Sequence, residues 1–260
     1  MTGPVALHHV DEGPRDAPVL VLSGSLGSTL EMWRPQVAAL TERFRVIRVD
    51  HRGHGGSPVP EGPYRLADLA GDALALLDSL GLDRVAWCGL SLGGMVGMVL
   101  GSDHPERLTS LTLCCTSSHF PDTTVWRERI AAVRDRGTAP IAAGVAGRWF
   151  TPDWAAAHPD VVAEATDMVA GTPDAGYLAC CQAIEVWDHR DRLPAIPTPT
   201  LVIAGSADPS TPVEPHARTI AEGIPGARLE ILDAAHLATV ERADEATPLI
   251  AAHVAAHLPT

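Results

Sequence analysis

A chain of 260 residues that is 46% hydrophobic and carries a formal charge of -13 at pH 7 is long enough for one large α/β domain with a substantial core. All 19 of its basic residues are arginine, which excludes chemistry that needs a lysine amine: Schiff-base and pyridoxal-phosphate enzymes, and the P-loop with its lysine. The acidic balance argues against a nucleic-acid binder, which would present a basic face.

The first residues, MTGPVALHHVDEGPRD, lack a basic stretch followed by an apolar run, so no signal peptide is expected. No apolar run reaches ~18 residues, so no membrane span is expected either, and the chain reads as cytoplasmic. A short apolar run at 19–22 predicts a buried strand, followed by the glycine-rich loop Ser23-Gly24-Ser25-Leu26-Gly27. That loop lacks the G-x-G-x-x-G spacing of a phosphate cradle. A second strand is predicted within 44–49. It runs into Asp50-His51-Arg52-Gly53-His54-Gly55-Gly56-Ser57, whose two histidines raise the question of a metal. No acid–histidine spacing recurs elsewhere, so a tight loop at a strand end is favoured and no metal site is expected. Leu66, Leu69, Ala73, Leu76, Leu77 and Leu80 stand at helical spacing, with Gly81 as the stop.

A third strand at 84–88 runs directly into Gly89-Leu90-Ser91-Leu92-Gly93, and a helical pattern leaves it. Strand, sharp turn and helix around G-x-S-x-G are what a nucleophile elbow requires, with Ser91 exposed on a strained backbone and small residues on either side. A strand at 108–113 follows. From about residue 118 to 195 the pattern turns helical and holds four of the six tryptophans, 126, 149, 154 and 187. We read 118–195 as a helical cap inserted into an α/β core formed by 1–117 and 196–260, with the proline-rich 193–199 marking the exit.

Strands resume at 200–204 and 228–232, and a last helix covers about 243–257. Asp208 follows the first of these strands and His236 the second. Both lie just past carboxyl ends, the edge where ligands bind in open α/β sheets. The chain order Ser91, Asp208, His236 suits a serine nucleophile with a base and an orienting acid. Asp233 is a rival acid, but three residues before His236 it suits a turn better. Leu92, directly after the nucleophile, supplies one oxyanion amide, and the loop after 19–22 supplies the other. The five cysteines, four in adjacent pairs, fit neither zinc spacing nor a disulfide framework and read as buried free thiols.

Together, DHRGHGGS, GLSLGG, GSADP and AAH resemble the α/β-hydrolases over the whole chain. More narrowly, SLGSTLEMWRPQ (25–36), RVDHRGHGGS (48–57), RWFTP (148–152), GYLACCQAI (176–184) and LDAAHLATVE (232–241) resemble the 3-oxoadipate enol-lactonases. Gly24 departs from the asparagine common in that family. The resemblance implies a mostly parallel eight-stranded sheet flanked by helices with an inserted cap. It also implies a Ser91–His236–Asp208 triad, no cofactor, and Ser25 at the position where related lipases and esterases place the second oxyanion donor. The implied reaction is hydrolysis of 3-oxoadipate enol-lactone to 3-oxoadipate in bacterial degradation of protocatechuate and catechol. A carboxylesterase, another lactonase or a perhydrolase with the same triad is the alternative, and a non-catalytic ligand-binding protein is a third reading.

A carboxylated lactone needs a cationic partner, and without lysine an arginine must serve or a protonated histidine. A helix through 126–130 puts Trp126 and Arg129 on one side, at i and i+3. Trp126 is expected to wall the pocket and Arg129 to read the carboxylate. The alternative places Trp126 in the cap core and Arg129 on a solvated face, with Arg148, Arg190 and Arg34 as rival cations.

Overall fold

The computed structural model describes residues 3–258. Among them, seven strands form one sheet: β1 (His9–Glu12), β2 (Val19–Ser23), β3 (Arg45–Val49), β4 (Val85–Leu90), β5 (Leu108–Cys114), β6 (Thr200–Gly205) and β7 (Arg228–Leu232). The order is β1-β3-β2-β4-β5-β6-β7, and only β1 runs antiparallel to its neighbour. The expected count of eight is therefore corrected to seven. Chain ahead of His9 gives its amides to side chains rather than to a ladder: Val5 N–H donates to Asp72 at 2.7 Å and His8 N–H to Ser57 at 2.8 Å. An alternating or continuous apolar run marks each of the other strands. β1 reads HVDE, is only half-buried and carried no such signal.

Among the described residues eleven α-helices accompany the sheet. α1 (Arg34–Leu40), α2 (Leu66–Ser79) and α3 (Leu92–Asp103) precede β5. α4 (Thr124–Arg136), α5 (Ala139–Ala146), α6 (Pro152–Ala157), α7 (Pro159–Ala170) and α8 (Asp174–Glu185) fill the span between β5 and β6. α9 (Arg218–Gly223), α10 (Ala238–Glu241) and α11 (Ala243–Ala256) complete the chain. The predicted helix 66–80 is α2, begun by Asp68 accepting from Arg65 N–H at 2.8 Å and ended at Gly81 with φ +66°. α3 is buried on nearly every side from Leu92 to Gly101, and β4 is buried at all six positions. In this way the sequence's densest apolar stretch occupies the middle of the sheet.

Inside the span between β5 and β6, α4 packs on α8 and α5 on α7. A single antiparallel bridge joins His119 to Asp188, and His189 N–H reaches Ser118 O at 2.7 Å. The two ends of the insertion therefore lie side by side. All five cysteines are free and buried, and no helix among the described residues is long and apolar enough to cross a membrane.

The loop after β3 is anchored through a fully buried ion pair. Arg52 Nη2 donates to Asp72 Oδ1 at 2.6 Å and its Nε to Oδ2 at 2.5 Å, and the guanidinium lies 5.2 Å from the Tyr64 ring. Removing one partner of such a pair leaves a buried charge without its counter-ion. Asp72→Ala is expected to lower the unfolding free energy by about 3–5 kcal/mol in urea titrations. Glu230→Ala, at the exposed Arg228 pair, is expected to cost less than about 1 kcal/mol.

Candidate active site

β4 ends in a turn that only this sequence pattern tolerates. Ser91 holds φ 54° and ψ -110°, one of two non-glycine residues at positive φ among those described. A Cβ at Gly89 would stand 2.1 Å from Gly93 O, and one at Gly93 would stand 2.2 Å from Ser23 O. Both glycines are therefore demanded by the approach of backbone to backbone, not by loop flexibility. The strained serine is held from three directions. Its N–H donates to Cys114 O at 2.9 Å, and its carbonyl accepts from Thr116 Oγ1 at 2.7 Å and from the amides of Gly94 and Met95 at 3.0 Å each.

Asp208 and His236 follow the last two strands, β6 and β7. His236, in the loop after β7, donates from Nδ1 to Asp208 Oδ2 at 2.8 Å. With the proton on Nδ1, the Nε2 lone pair is free to accept one. Asp208 also accepts from Ser210 N–H at 2.7 Å, Thr211 N–H at 3.1 Å and Thr211 Oγ1 at 2.7 Å. Burial alone would raise its pKa, but His236 and the Thr211 bonds outweigh burial and hold the carboxyl below its usual range. The rival Asp233 is exposed and faces Arg242 at 3.3 Å. A residue that drew no notice in the sequence, Glu241, positions the histidine loop. Its buried carboxylate accepts from Ala235 N–H at 2.9 Å, from Thr151 N–H at 3.2 Å and from the Thr151 hydroxyl.

The loop after β2 is seated against the start of α3, where Gly93 N–H donates to Gly24 O at 2.9 Å. Leu92 opens that helix, so its N–H has no intrahelical partner. The Ser25 N–H faces the Met32 thioether at 3.4 Å, a weak acceptor that an oxyanion would readily replace. A Cβ at Gly24 would fall 2.8 Å from the same sulfur and 2.6 Å from Ser28 Oγ, so glycine here goes together with this packing of Met32.

The two histidines after β3 brace this loop from behind. Gly24 O can only accept, so His51 Nε2, 3.1 Å away, carries a proton. His54 does the reverse: its Nε2 accepts from Gly27 N–H at 2.9 Å and its Nδ1 donates to Arg52 O at 3.2 Å. Asp50 completes the brace, accepting from Leu30 N–H at 2.6 Å, Gly56 N–H at 2.9 Å and His8 Nδ1 at 2.7 Å.

Ser25, Ser91 and His236 line one cavity of about 310 Å³. Leu26, Phe120, Val125, Trp126, Val145 and Trp149 give it apolar walls, and Arg129 and Arg148 are its cations. Trp126 is buried in the insertion and borders the cavity as well, so the two roles considered for it coincide. Its indole N–H has no hydrogen-bond partner among the described residues. The Arg129 guanidinium lies 4.9 Å from the Trp126 ring, half-buried rather than on a solvated face. The rival cations are engaged elsewhere: Arg34 with Glu31 and Glu164, and Arg190 with Asp188. Arg148, in the turn after α5, is the one rival that reaches the cavity.

Comparison with known proteins places the fold in a family. The sequence model of a family described as alpha/beta hydrolase fold matches residues 17–243. The 3-oxoadipate enol-lactonase 2 of Acinetobacter baylyi is 39% identical over 238 residues, 92% of this chain and 89% of that one. A putative carbamate hydrolase RutD of Stutzerimonas stutzeri is 32% identical over 247 residues, covering 92% of each chain. Among solved structures, the enol-lactonase of Burkholderia xenovorans LB400 has a TM-score of 0.94 at 40% identity, with 97% of this chain and 100% of that chain covered.

The histidine brace makes the fold acid-sensitive. Burial, then neighbouring His54, pushes His51 down to about 4, and burial lowers His54 as well. An unfolded histidine takes up its proton near pH 6.5, well before these do, so stability rises with pH across that interval. Unfolding free energy is expected to fall as pH drops from 6.5 to 4, on the order of 3 kcal/mol for His51 alone. His51→Gln is expected to flatten that slope in denaturant titrations run at successive pH values.

Proposed function

The chain belongs to the alpha/beta hydrolase family, and from that premise we propose that it is a serine hydrolase opening 3-oxoadipate enol-lactone to 3-oxoadipate. The observation that carries the carboxylated substrate is the cavity itself. Beside Ser91 and His236 it holds two arginines, neither with a carboxylate partner among the described residues. Residues 118–195 act in this reading as a cap that closes the cavity over the sheet edge. The wider role is in bacterial breakdown of protocatechuate and catechol.

Ser91 Oγ attacks the lactone carbonyl carbon while its proton passes to His236 Nε2. Asp208 keeps the imidazole in its Nδ1–H tautomer and stabilises the imidazolium that forms. The amides of Leu92 and Ser25 hold the developing oxyanion, each worth about 3 kcal/mol. The ring C–O bond then breaks and the oxygen leaves as an enolate, a better leaving group than an alkoxide. The enolate takes the proton back from His236 Nε2 and tautomerises to the ketone, which leaves the imidazole neutral for the second half-reaction. Water attacks the acyl-enzyme, giving its proton to His236, and Ser91 Oγ departs and is reprotonated. Trp126 walls the pocket and Arg129 pairs with the remote carboxylate.

Ser91→Ala is expected to cut lactone turnover by about 10⁴-fold or more with the melting temperature preserved. It is also expected to abolish labelling by a fluorophosphonate, which a non-catalytic binding protein would lack from the start. Arg129→Gln is expected to lower kcat/KM for the carboxylated lactone by about 10- to 100-fold and to leave a neutral aryl ester unchanged. An equal loss on both substrates would favour a general carboxylesterase.

A further inference from the structure

Four side chains line two cavities at once. Val125 and Arg129 of α4, and Val145 and Arg148 at the end of α5, border the Ser91 cavity and also a surface groove of about 330 Å³ between those helices. We propose that this partition is the entrance to the active site, and that Arg129 and Arg148 make it a portal selective for small carboxylates. The proposal rests on the reading of the Ser91 cavity as the catalytic one.

Three observations support it. The partition is thin: two valines and two arginines separate the groove from the cavity, and Val125 is 49% exposed. An arginine without a carboxylate partner keeps several staggered rotamers open to it, so a partition made partly of two such side chains can open by rotamer change. Neither arginine is pinned by a carboxylate, whereas Arg127 pairs with Glu185, Arg190 with Asp188 and Arg192 with Asp103 in the same insertion.

The sign of the charge also fits. A chain with net charge -13 repels anions over most of its surface. Here two guanidiniums line a groove that has a single acid, Glu128, among its described lining residues. Burial, with Arg129 alongside, lowers the Arg148 pKa, which is the mark of a cation short of a counter-ion. An arriving carboxylate relieves that repulsion by bridging the pair, and it does so at the point where the route narrows.

The test compares a carboxylated ester or lactone with a neutral aryl ester as salt is raised. Arg148→Gln is expected to lower kcat/KM for the anionic substrate at least about tenfold at low ionic strength. The difference should shrink towards ~0.5 M salt, where charges are screened within a few ångströms, and Arg148→Lys should restore most of it. Gly144 lines the groove but not the cavity, and a Cβ built there meets nothing within 4 Å. Gly144→Trp therefore starts a large side chain from an open position on the groove, and is expected to lower kcat/KM for both substrates, with the melting temperature measured alongside as the check on folding. The portal is overturned if Gly144→Trp leaves both substrates unaffected, or if the Arg148→Gln loss is independent of salt and falls on kcat. A wild-type enzyme that ignores the enol-lactone but hydrolyses other carboxylated esters with this salt dependence would remove the substrate assignment and keep the portal.

Discussion

The amide of Gly93 meets the carbonyl of Gly24 at 2.9 Å, and this holds the first turn of α3 against the loop leaving β2 at backbone distance. No side chain fits between them, because a Cβ at Gly93 would lie 2.2 Å from Ser23 O. Through this contact the free amide at the head of α3 and the amides of the loop keep a fixed separation, which is what stabilisation of a developing oxyanion requires. The same closeness sets the elbow at Ser91. The turn has no slack, so the strain at φ 54° persists because the packing of β4 and α3 leaves no alternative. His51, His54 and Asp50 then serve the contact from behind, each bonding to backbone of the loop or its neighbours.

Charge is distributed just as unevenly. With 32 acids and 19 arginines, a guanidinium placed at random finds a carboxylate easily, and many do: Arg45 with Asp11, Arg48 with Glu12, Arg52 with Asp72. Two arginines side by side without one run against that excess. Such local disagreement with the rest of the molecule is where function is expected to displace stability. The planar fork of arginine also suits a carboxylate better than an ammonium would, since both oxygens can be held together.

How far the sequence was readable depended on whether a feature leaves a local trace. β2, β4, β5 and β6 are apolar runs buried almost throughout, and the elbow between β4 and α3 has its own glycine signature, so all were evident. Asp208 is preferred to Asp233 as the partner of His236 because an acid only three residues before the histidine suits a turn better. β1 was missed because an edge strand reading HVDE has no apolar face to betray it. The eighth strand came from resemblance alone, and the chain before His9 instead bonds to Asp72 and Ser57. Arg52–Asp72 and Glu241 carry no spacing rule, since their partners come together only in the folded chain. Arg129 was visible through its i, i+3 relation to Trp126 on α4. Arg148 sits in a turn after α5, where no periodicity points to a cavity.

Glu241 has a consequence beyond holding one loop. Its carboxylate is shared between Ala235, beside His236, and Thr151, at the start of α6 in the helical insertion. Any rearrangement of the insertion near Thr151 therefore bears on Ala235, the residue next to His236. Under the proposed function, a ligand beneath those helices and the imidazole of His236 bear on one shared carboxylate, and whatever coupling runs through it is reciprocal.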